Sequence, residues 1–260
     1  MFAEERRKWI EDQIRERGAV RIKELVAQFQ VSVETIRRDL LELERQGVLK
    51  RVHGGALRGV QSREYHELPR RLEENSDAKA ELAEYAAQFI CEGDTIFIDC
   101  GSTAAVFADM VARRFSRLTV ITNCLHVFER FCGKKEFTLY LCSGVYMREE
   151  KAFCGMWTVQ MLRQFHASSA FLFPSAISLE YGVMDCDQEI YHIQQTMMTH
   201  ADRIFFLADS GKFEKSGLLK LADVDQKCTF ITDSGLDSKI ADLYRENQVR
   251  LVMENGEGQR

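Results

Sequence analysis

Proline and paired cysteines are scarce in this chain. Its 260 residues hold 2 Pro and 16 Gly, with 45% hydrophobic and 29% charged residues. That composition excludes a disordered, collagen-like or linker-dominated protein. The eight cysteines, Cys91, Cys100, Cys124, Cys132, Cys142, Cys154, Cys186 and Cys228, include no C-x-x-C pair, so zinc-site and thioredoxin-like spacings are absent and no metal or cofactor is expected. An even count leaves disulfides open. Several of these residues nonetheless sit inside apolar runs such as FTLYLC, which favours buried, reduced thiols in a cytoplasmic protein. Also missing is any stretch approaching about 18 uncharged apolar residues. The amino-terminal MFAEERRKWIEDQ has no apolar segment behind its charges, so the expectation is a chain that is neither exported nor membrane-spanning.

What is present is an uneven charge. The formal net charge of −5 would argue against a polyanionic partner, yet residues 1–71 carry 16 Lys+Arg against 12 Asp+Glu, a net of +4. The other 189 residues carry 19 against 28, a net of −9. A basic module joined to an acidic body is implied, consistent with one to two domains at a length of roughly 150 residues each.

In the amino-terminal module, Trp9, Ile10 and Ile14 recur at helical spacing, and Gly18 falls where a helix stops. Ile22, Leu25, Val26 and Phe29 form a second apolar stripe about two turns long. Gln30 to Ser32 makes a break, with Ser32 placed as an N-cap and Val31 and Ile36 as a hydrophobic staple. A third helix from about Val33 to Gln46 buries Ile36, Leu40 and Leu43 and carries Ser32, Glu34, Thr35, Arg37 and Arg38 around its start. Two helices joined by a tight turn, the second presenting hydroxyl and guanidinium groups, is the helix-turn-helix arrangement. Arg suits this place because its fork can bridge two acceptors on guanine or grip a phosphate. After Gly47, VLKRVHGGAL reads as a hairpin turning at Gly54-Gly55, with Lys50, Arg51 and His53 as a basic wing.

Residues 59–78 are polar, with Pro69 and an EENSD run, and read as a linker. Beyond them helices and strands alternate. Helices are expected at Lys79–Cys91, Ser102–Arg114, Leu125–Phe131, Gln188–Thr199 and Asp237–Glu246. Strands are expected at Thr95–Asp99, Leu118–Thr122, Phe137–Leu141, Ser169–Phe173, Arg203–Ala208, Cys228–Thr232 and Val249–Val252. Such alternation implies a mostly parallel sheet covered on both faces, with ligands bound beyond the carboxyl ends of its strands. The loop Asp99-Cys-Gly-Ser-Thr103, which follows a strand and opens a helix, offers Asp99, Gly101, Ser102 and Thr103 to an anion, although a plain capped turn has the same form. Thr122-Asn123, Ser143-Gly144 and Asp209-Ser-Gly-Lys212 add polar groups at other strand ends. Lys212 suits a phosphate and Glu189 sugar hydroxyls. Equally, Asn123 and Glu189 read as helix caps and Lys212 as a surface charge.

The string VSVETIRRDLLELERQGVLKRVHGGAL, with ERRKWI and IKELVAQF before it, resembles the winged helix-turn-helix of the DeoR family of bacterial transcriptional regulators. IDCGST, TVITN and LADSGKF, with Lys79, resemble the sensor domain of the same family. The resemblance implies an α+β winged helix-turn-helix DNA-binding domain over residues 1–58, with Gly54 in its wing. It further implies an α/β effector-sensing and oligomerisation domain over residues 79–254, mostly parallel and similar to ribose-5-phosphate isomerase-like folds. It carries the response of family members to phosphorylated sugars or related metabolites. The chain departs from the family pattern at Ser143-Gly144, at FLFPSA and at Gln194, where lysine is usual, and these departures imply a different or weaker ligand.

The leading expectation is therefore a DNA-binding regulator, a repressor of sugar or related carbon metabolism genes, controlled by a phosphorylated sugar-like effector. Its expected partners are a double-stranded DNA operator and further copies of itself, at least as a dimer, because such modules commonly read paired half-sites. Two alternatives stand beside it. One is a DNA-binding regulator with no small-molecule effector. The other is a sugar-phosphate isomerase with a DNA-binding appendage, using Asp99, Asp185 and Glu189 for acid–base chemistry.

Overall fold

The computed structural model describes residues 3–17, 19–45, 49–52, 55–58 and 68–254. The chain divides into two compact units, Met1–His66 and Glu67–Arg260.

The first unit runs α1 (Ala3–Arg17), β1 (Ala19–Arg21), α2 (Ile22–Phe29), α3 (Val33–Arg45), β2 (Leu49–Val52) and β3 (Gly55–Arg58). Its core gathers Ile10 and Ile14 from α1, Leu25 from α2, Ile36, Leu40 and Leu43 from α3, and Val20, Leu49 and Ala56 from the strands. No helix here is long enough to hold in water alone, so the shared core is what keeps the three folded. Trp9 closes one side with its ring edge-on to Phe29, centroids 5.1 Å apart. The expected hairpin is present, with Val52 paired to Gly55. It also gains a third strand that the sequence pattern did not suggest, because β1 pairs antiparallel with β3 and the order becomes β1-β3-β2.

The second unit begins with α4 (Leu68–Glu73) and α5 (Ser76–Ala87). The expected linker over residues 59–78 thus contains a helix and the start of another. Pro69 and the acidic run read as punctuation, but proline is tolerated in a helix's first turn, where its missing N–H has no partner to lose. Asn75, with φ 52°, makes the break between the two helices. The body follows as β4 (Thr95–Ile98), α6 (Ser102–Arg114), β5 (Thr119–Thr122), α7 (Leu125–Phe131), β6 (Thr138–Leu141), β7 (Val145–Met147), β8 (Ala152–Cys154) and α8 (Met156–Leu162). Then come β9 (Ala167–Leu172), β10 (Ala176–Ser178), β11 (Gly182–Asp185), α9 (Gln188–Thr199), β12 (Ala201–Leu207), β13 (Leu219–Ala222), β14 (Cys228–Ile231), α10 (Ser238–Glu246) and β15 (Arg250–Val252).

Seven strands form one parallel sheet in the order β15-β14-β12-β9-β4-β5-β6. Alternate residues of each strand serve opposite faces, as the pleat requires. Ile96 and Ile98 pack with Leu82, Phe107 and Phe131 from α5, α6 and α7. Phe97 packs on the other side with Leu162, Ile193, Met197 and Tyr244 from α8, α9 and α10. A sheet buried on both faces explains why its strands read as continuous apolar runs. Two small antiparallel sheets, β7-β8 and β10-β11-β13, lie outside the main one. Among the described residues no helix is long and apolar enough to cross a membrane.

Candidate functional site

In the first unit the start of α3 is built by Ser32. Its Oγ accepts the Thr35 N–H at 3.1 Å, capping the helix, and lies within hydrogen-bond distance of Thr35 Oγ1 at 2.8 Å. Glu34 and Arg37, both exposed, face each other at 3.6 Å. Arg38 is exposed and makes no hydrogen bond or ion pair with the described residues. Asp39, the next residue, is buried and bonded through Oδ2 to Nε of buried Arg6 at 2.5 Å. This cross-link between α1 and α3 fixes how α3 is rotated, with Ile36, Leu40 and Asp39 inward and Arg37 and Arg38 outward. Lys50 and Arg51 lie on β2 opposite Leu57 and Ala56. His53, Gly54 and Gly47 lie outside the described residues.

In the second unit the chain reverses its progress across the sheet between β4 and β9: β5 and β6 extend from one side of β4, while β12, β14 and β15 extend beyond β9. The loops leaving the carboxyl ends of β4 and β9 diverge there, which is where open α/β sheets form their binding crevice. Asp99 leaves β4, Asn123 leaves β5, Pro174-Ser175 follow β9, and Asp209 leaves β12. Because Ile98 pairs with Thr122 in parallel register, Asp99 and Asn123 are neighbours at the same edge.

The loop after β4 is not a capped turn. Gly101, with φ 124° and ψ 173°, stands at the N-cap of α6 without a side-chain hydrogen bond to the helix. A Cβ there would meet nothing within 4 Å, so glycine serves the backbone angle and not a tight contact. The first N–H groups of α6 carry the positive end of the helix dipole with no side chain to receive it. Ser102 and Thr103 are buried in the first turn, and Thr103 Oγ1 has no hydrogen-bond partner.

Beside this loop three polar side chains are joined inside the protein. Gln194 Nε2, on α9, donates to Asp99 Oδ2 at 2.8 Å and to Asp185 Oδ2 at 3.2 Å. Asp185 Oδ1 accepts from Ser175 Oγ at 3.1 Å and from the Cys186 and Asp187 N–H groups at 2.7 and 3.3 Å. Asp99 Oδ1, Gln194 Oε1 and Asn123 Oδ1 are buried and have no hydrogen-bond partner, while Asn123 Nδ2 donates to the Phe153 carbonyl at 2.9 Å. Burial pushes the Asp99 carboxyl up to about 7. The Gln194 amide and the nearby Cys100 and Phe173 N–H groups pull the other way, but none of them bonds Oδ1. Burial raises Asp185 as well.

A cationic side lies at the ends of α4 and β12. Lys79 is buried on α5, and its ammonium donates to the carbonyls of Arg71 and Glu74, the latter at 2.5 Å, so it caps the end of α4. Burial lowers it to about 8, against the pull of Asp209. Asp209 accepts from Asn75 Nδ2 at 3.1 Å, Lys212 donates to the Pro174 carbonyl at 2.9 Å, and Arg71 pairs with buried Glu150.

The remaining expected positions fall into different surroundings. Thr122 Oγ1 accepts the Cys124 N–H at 3.0 Å, which shapes the turn after β5. Ser143 is exposed, and its carbonyl accepts Thr158 Oγ1 at 3.2 Å. A Cβ on Gly144 would collide with Thr158 Oγ1 and the Cys154 carbonyl, so this glycine serves the approach of α8 to β7 and β8. Glu189 does not cap α9; Asp187 does, accepting the Glu189 and Ile190 N–H groups at 2.8 and 3.1 Å. The Glu189 charge is felt at Cys154 on β8. Asn123 likewise is no cap, since Cys124 holds that position. Sequence reasoning missed Arg71, Asn75, Ser175 and Glu150 altogether, and the only signals were an Arg-Arg pair inside an assumed linker and a glutamate in a charged run. Among the described residues no disulfide joins the cysteines, and burial raises Cys100, Cys124, Cys142 and Cys228, which leaves them poor nucleophiles.

Comparison with known proteins agrees with both halves. Residues 6–61 match the family model of the DeoR-like helix-turn-helix domain, and residues 74–234 match that of the DeoR C terminal sensor domain. The chain is 33% identical to a lactose phosphotransferase system repressor of Streptococcus mutans, over 96% of this chain and 99% of that one. It is 30% identical to the transcriptional repressor AccR of Agrobacterium fabrum (97% and 98% covered) and 29% identical to the HTH-type transcriptional regulator IolR of Bacillus subtilis (92% and 95% covered). Among solved structures it is similar to ribose 5-phosphate isomerase A of Methanocaldococcus jannaschii, with 16% identity and a TM-score of 0.41 over 54% of this chain and 55% of that one. With matching models over both units and relatives aligned along nearly its whole length, the chain belongs to the DeoR family of transcriptional regulators, proteins that bind DNA and are not enzymes.

Proposed function

We propose that the chain represses genes of sugar or related carbon metabolism and that a phosphorylated metabolite, bound at the carboxyl edge of the parallel sheet, sets its affinity for operator DNA. The observation that carries the effector half is the start of α6: uncapped N–H groups beside a left-handed-region glycine and a buried, unpartnered Thr103 hydroxyl. Such a turn suits a phosphate, and the cationic side adds Lys79 from α5 and Lys212 from the turn after β12. Arg38 and Arg37 at the exposed start of α3 reach base edges, and Lys50, Arg51, His53 and Gly54 of the wing hold the backbone or enter the minor groove. Two or more copies read paired half-sites.

Relatives named for the lactose phosphotransferase system support the metabolic assignment. The ligand acts through linkage and moves the DNA-competent population only by its differential affinity for the two states. The test is titration of the full-length protein onto DNA upstream of its own coding sequence at several salt concentrations, with and without phosphorylated sugars. Sequence-selective binding that weakens with salt and responds to one of these compounds is expected. Binding without sequence preference, or indifferent to salt, overturns the DNA half. A melting temperature unmoved by every phosphorylated sugar leaves the second unit as an assembly body, because a ligand at 100 times its Kd stabilises by about 2.7 kcal/mol.

A further inference from the structure

The floor of the site is unusual in what it lacks. Asp99 and Asp185 are both buried, yet every donor bonded to them is neutral: the Gln194 amide, the Ser175 hydroxyl and main-chain N–H groups. Gln194 spends both amide hydrogens on the two carboxylates and has none left. The nearby lysines are engaged elsewhere, Lys79 with the α4 carbonyls and Lys212 with the Pro174 carbonyl. Besides the Thr103 hydroxyl, three buried side-chain oxygens of this cluster remain unmet among the described residues: Gln194 Oε1 and Asn123 Oδ1, which are acceptors, and Asp99 Oδ1, which is one when its carboxyl is ionised.

We propose, building on the phosphorylated-ligand reading above, that this cluster selects a ligand carrying an ammonium group: a phosphorylated amine, such as an aminodeoxy sugar phosphate, with its phosphate on the start of α6 and its ammonium on Asp99, Gln194 and Asn123. An unmet buried acceptor is costly, and a buried carboxylate pair without a cation more so. An ammonium brings three donors and one positive charge, matching three unmet acceptors beside two carboxylates. A hydroxyl brings one donor and no charge, and leaves two acceptors and the carboxylates as they were. The raised Asp99 carboxyl fits the same account, because in the free protein a proton supplies the charge compensation that the ammonium would replace.

The test is isothermal titration of the full-length protein with matched pairs differing only in amine against hydroxyl: glucosamine and glucose 6-phosphate, galactosamine and galactose 6-phosphate, and phosphoethanolamine against glycol phosphate. In at least one pair the amine is expected to bind about tenfold or more tightly. The isosteric Asp99→Asn, which removes one carboxylate, should bring that pair close to parity, with circular dichroism checking that it folds. If amine and hydroxyl members bind alike in every pair, the inference is overturned while the phosphate reading stands. If nothing phosphorylated binds, both fall. A preference undiminished in folded Asp99→Asn overturns the assignment of the ammonium to this cluster.

Discussion

At the scale of single residues, Asp99 ties stability to pH. Its carboxyl sits at about 7 against 3.8 for an ordinary aspartate, so the folded chain keeps a proton that the unfolded chain has released. The contribution of this one group to stability is fully present below about pH 4, falls as pH rises from about 4 to about 7, and is then gone, a loss on the order of 4 kcal/mol. Asp99→Asn retains an oxygen for the Gln194 amide and carries no charge, so urea unfolding at pH 5 and pH 8 should show most of this slope gone. The raised Asp185 leaves a residue of the same sign. A slope unaltered in the variant would assign the titration to another group. Arg38, exposed and without a side-chain partner among the described residues, belongs to the other unit and to another measurement. Arg38→Ala should cost operator binding roughly 1–3 kcal/mol and relax preference at one base pair, leaving affinity for unrelated DNA nearly unchanged.

At the scale of elements, α3 owes its placement to an inward charge that hydrophobic periodicity does not reveal. Asp39→Ala leaves Arg6 buried without this partner and should destabilise the first unit by roughly 3 kcal/mol, measured as a lower melting temperature there and as weakened DNA binding. The long periodic elements were legible from sequence: α6, α7 and α9 begin and end where the apolar pattern places them, because an apolar stripe is a local feature. Strand ends were less sharp. Asp99 reads as strand because its N–H still bonds the Phe171 carbonyl at 3.1 Å, one step beyond β4. Three-residue strands such as β1, β7 and β8 are too short to show alternation, and their partners lie up to 38 residues away in register, as for Ala19 and Leu57. The same limit applies to the site. Asp99, Asn123 and Asp209 were visible as polar residues at strand ends, but the Gln194 bridge spans 95 residues of sequence, and the Arg71–Glu150 pair spans 79. Such pairings exist only once the sheet order is known.

At the scale of the whole molecule, the division of charge and the division of fold fall close together, with a net of +4 over residues 1–71 and a unit boundary at His66. So small a positive surplus steers DNA weakly, and affinity depends on placed contacts and on the number of modules assembled. The two tryptophans fall one to each unit, Trp9 in α1 and Trp157 in α8. A Trp9→Phe chain therefore reports the second unit alone. Its fluorescence-detected unfolding should shift to higher temperature with a bound phosphorylated amine, and an unshifted curve at saturating ligand would place binding elsewhere. Lys79 adds a consequence for how such binding is felt. Its ammonium closes the end of α4, the first helix after the unit boundary, and stands within the field of Asp209 and Lys212. Were the proposed effector's phosphate to draw this ammonium away, α4 would lose two hydrogen bonds, and occupancy would be registered as fraying at the first helix of the second unit.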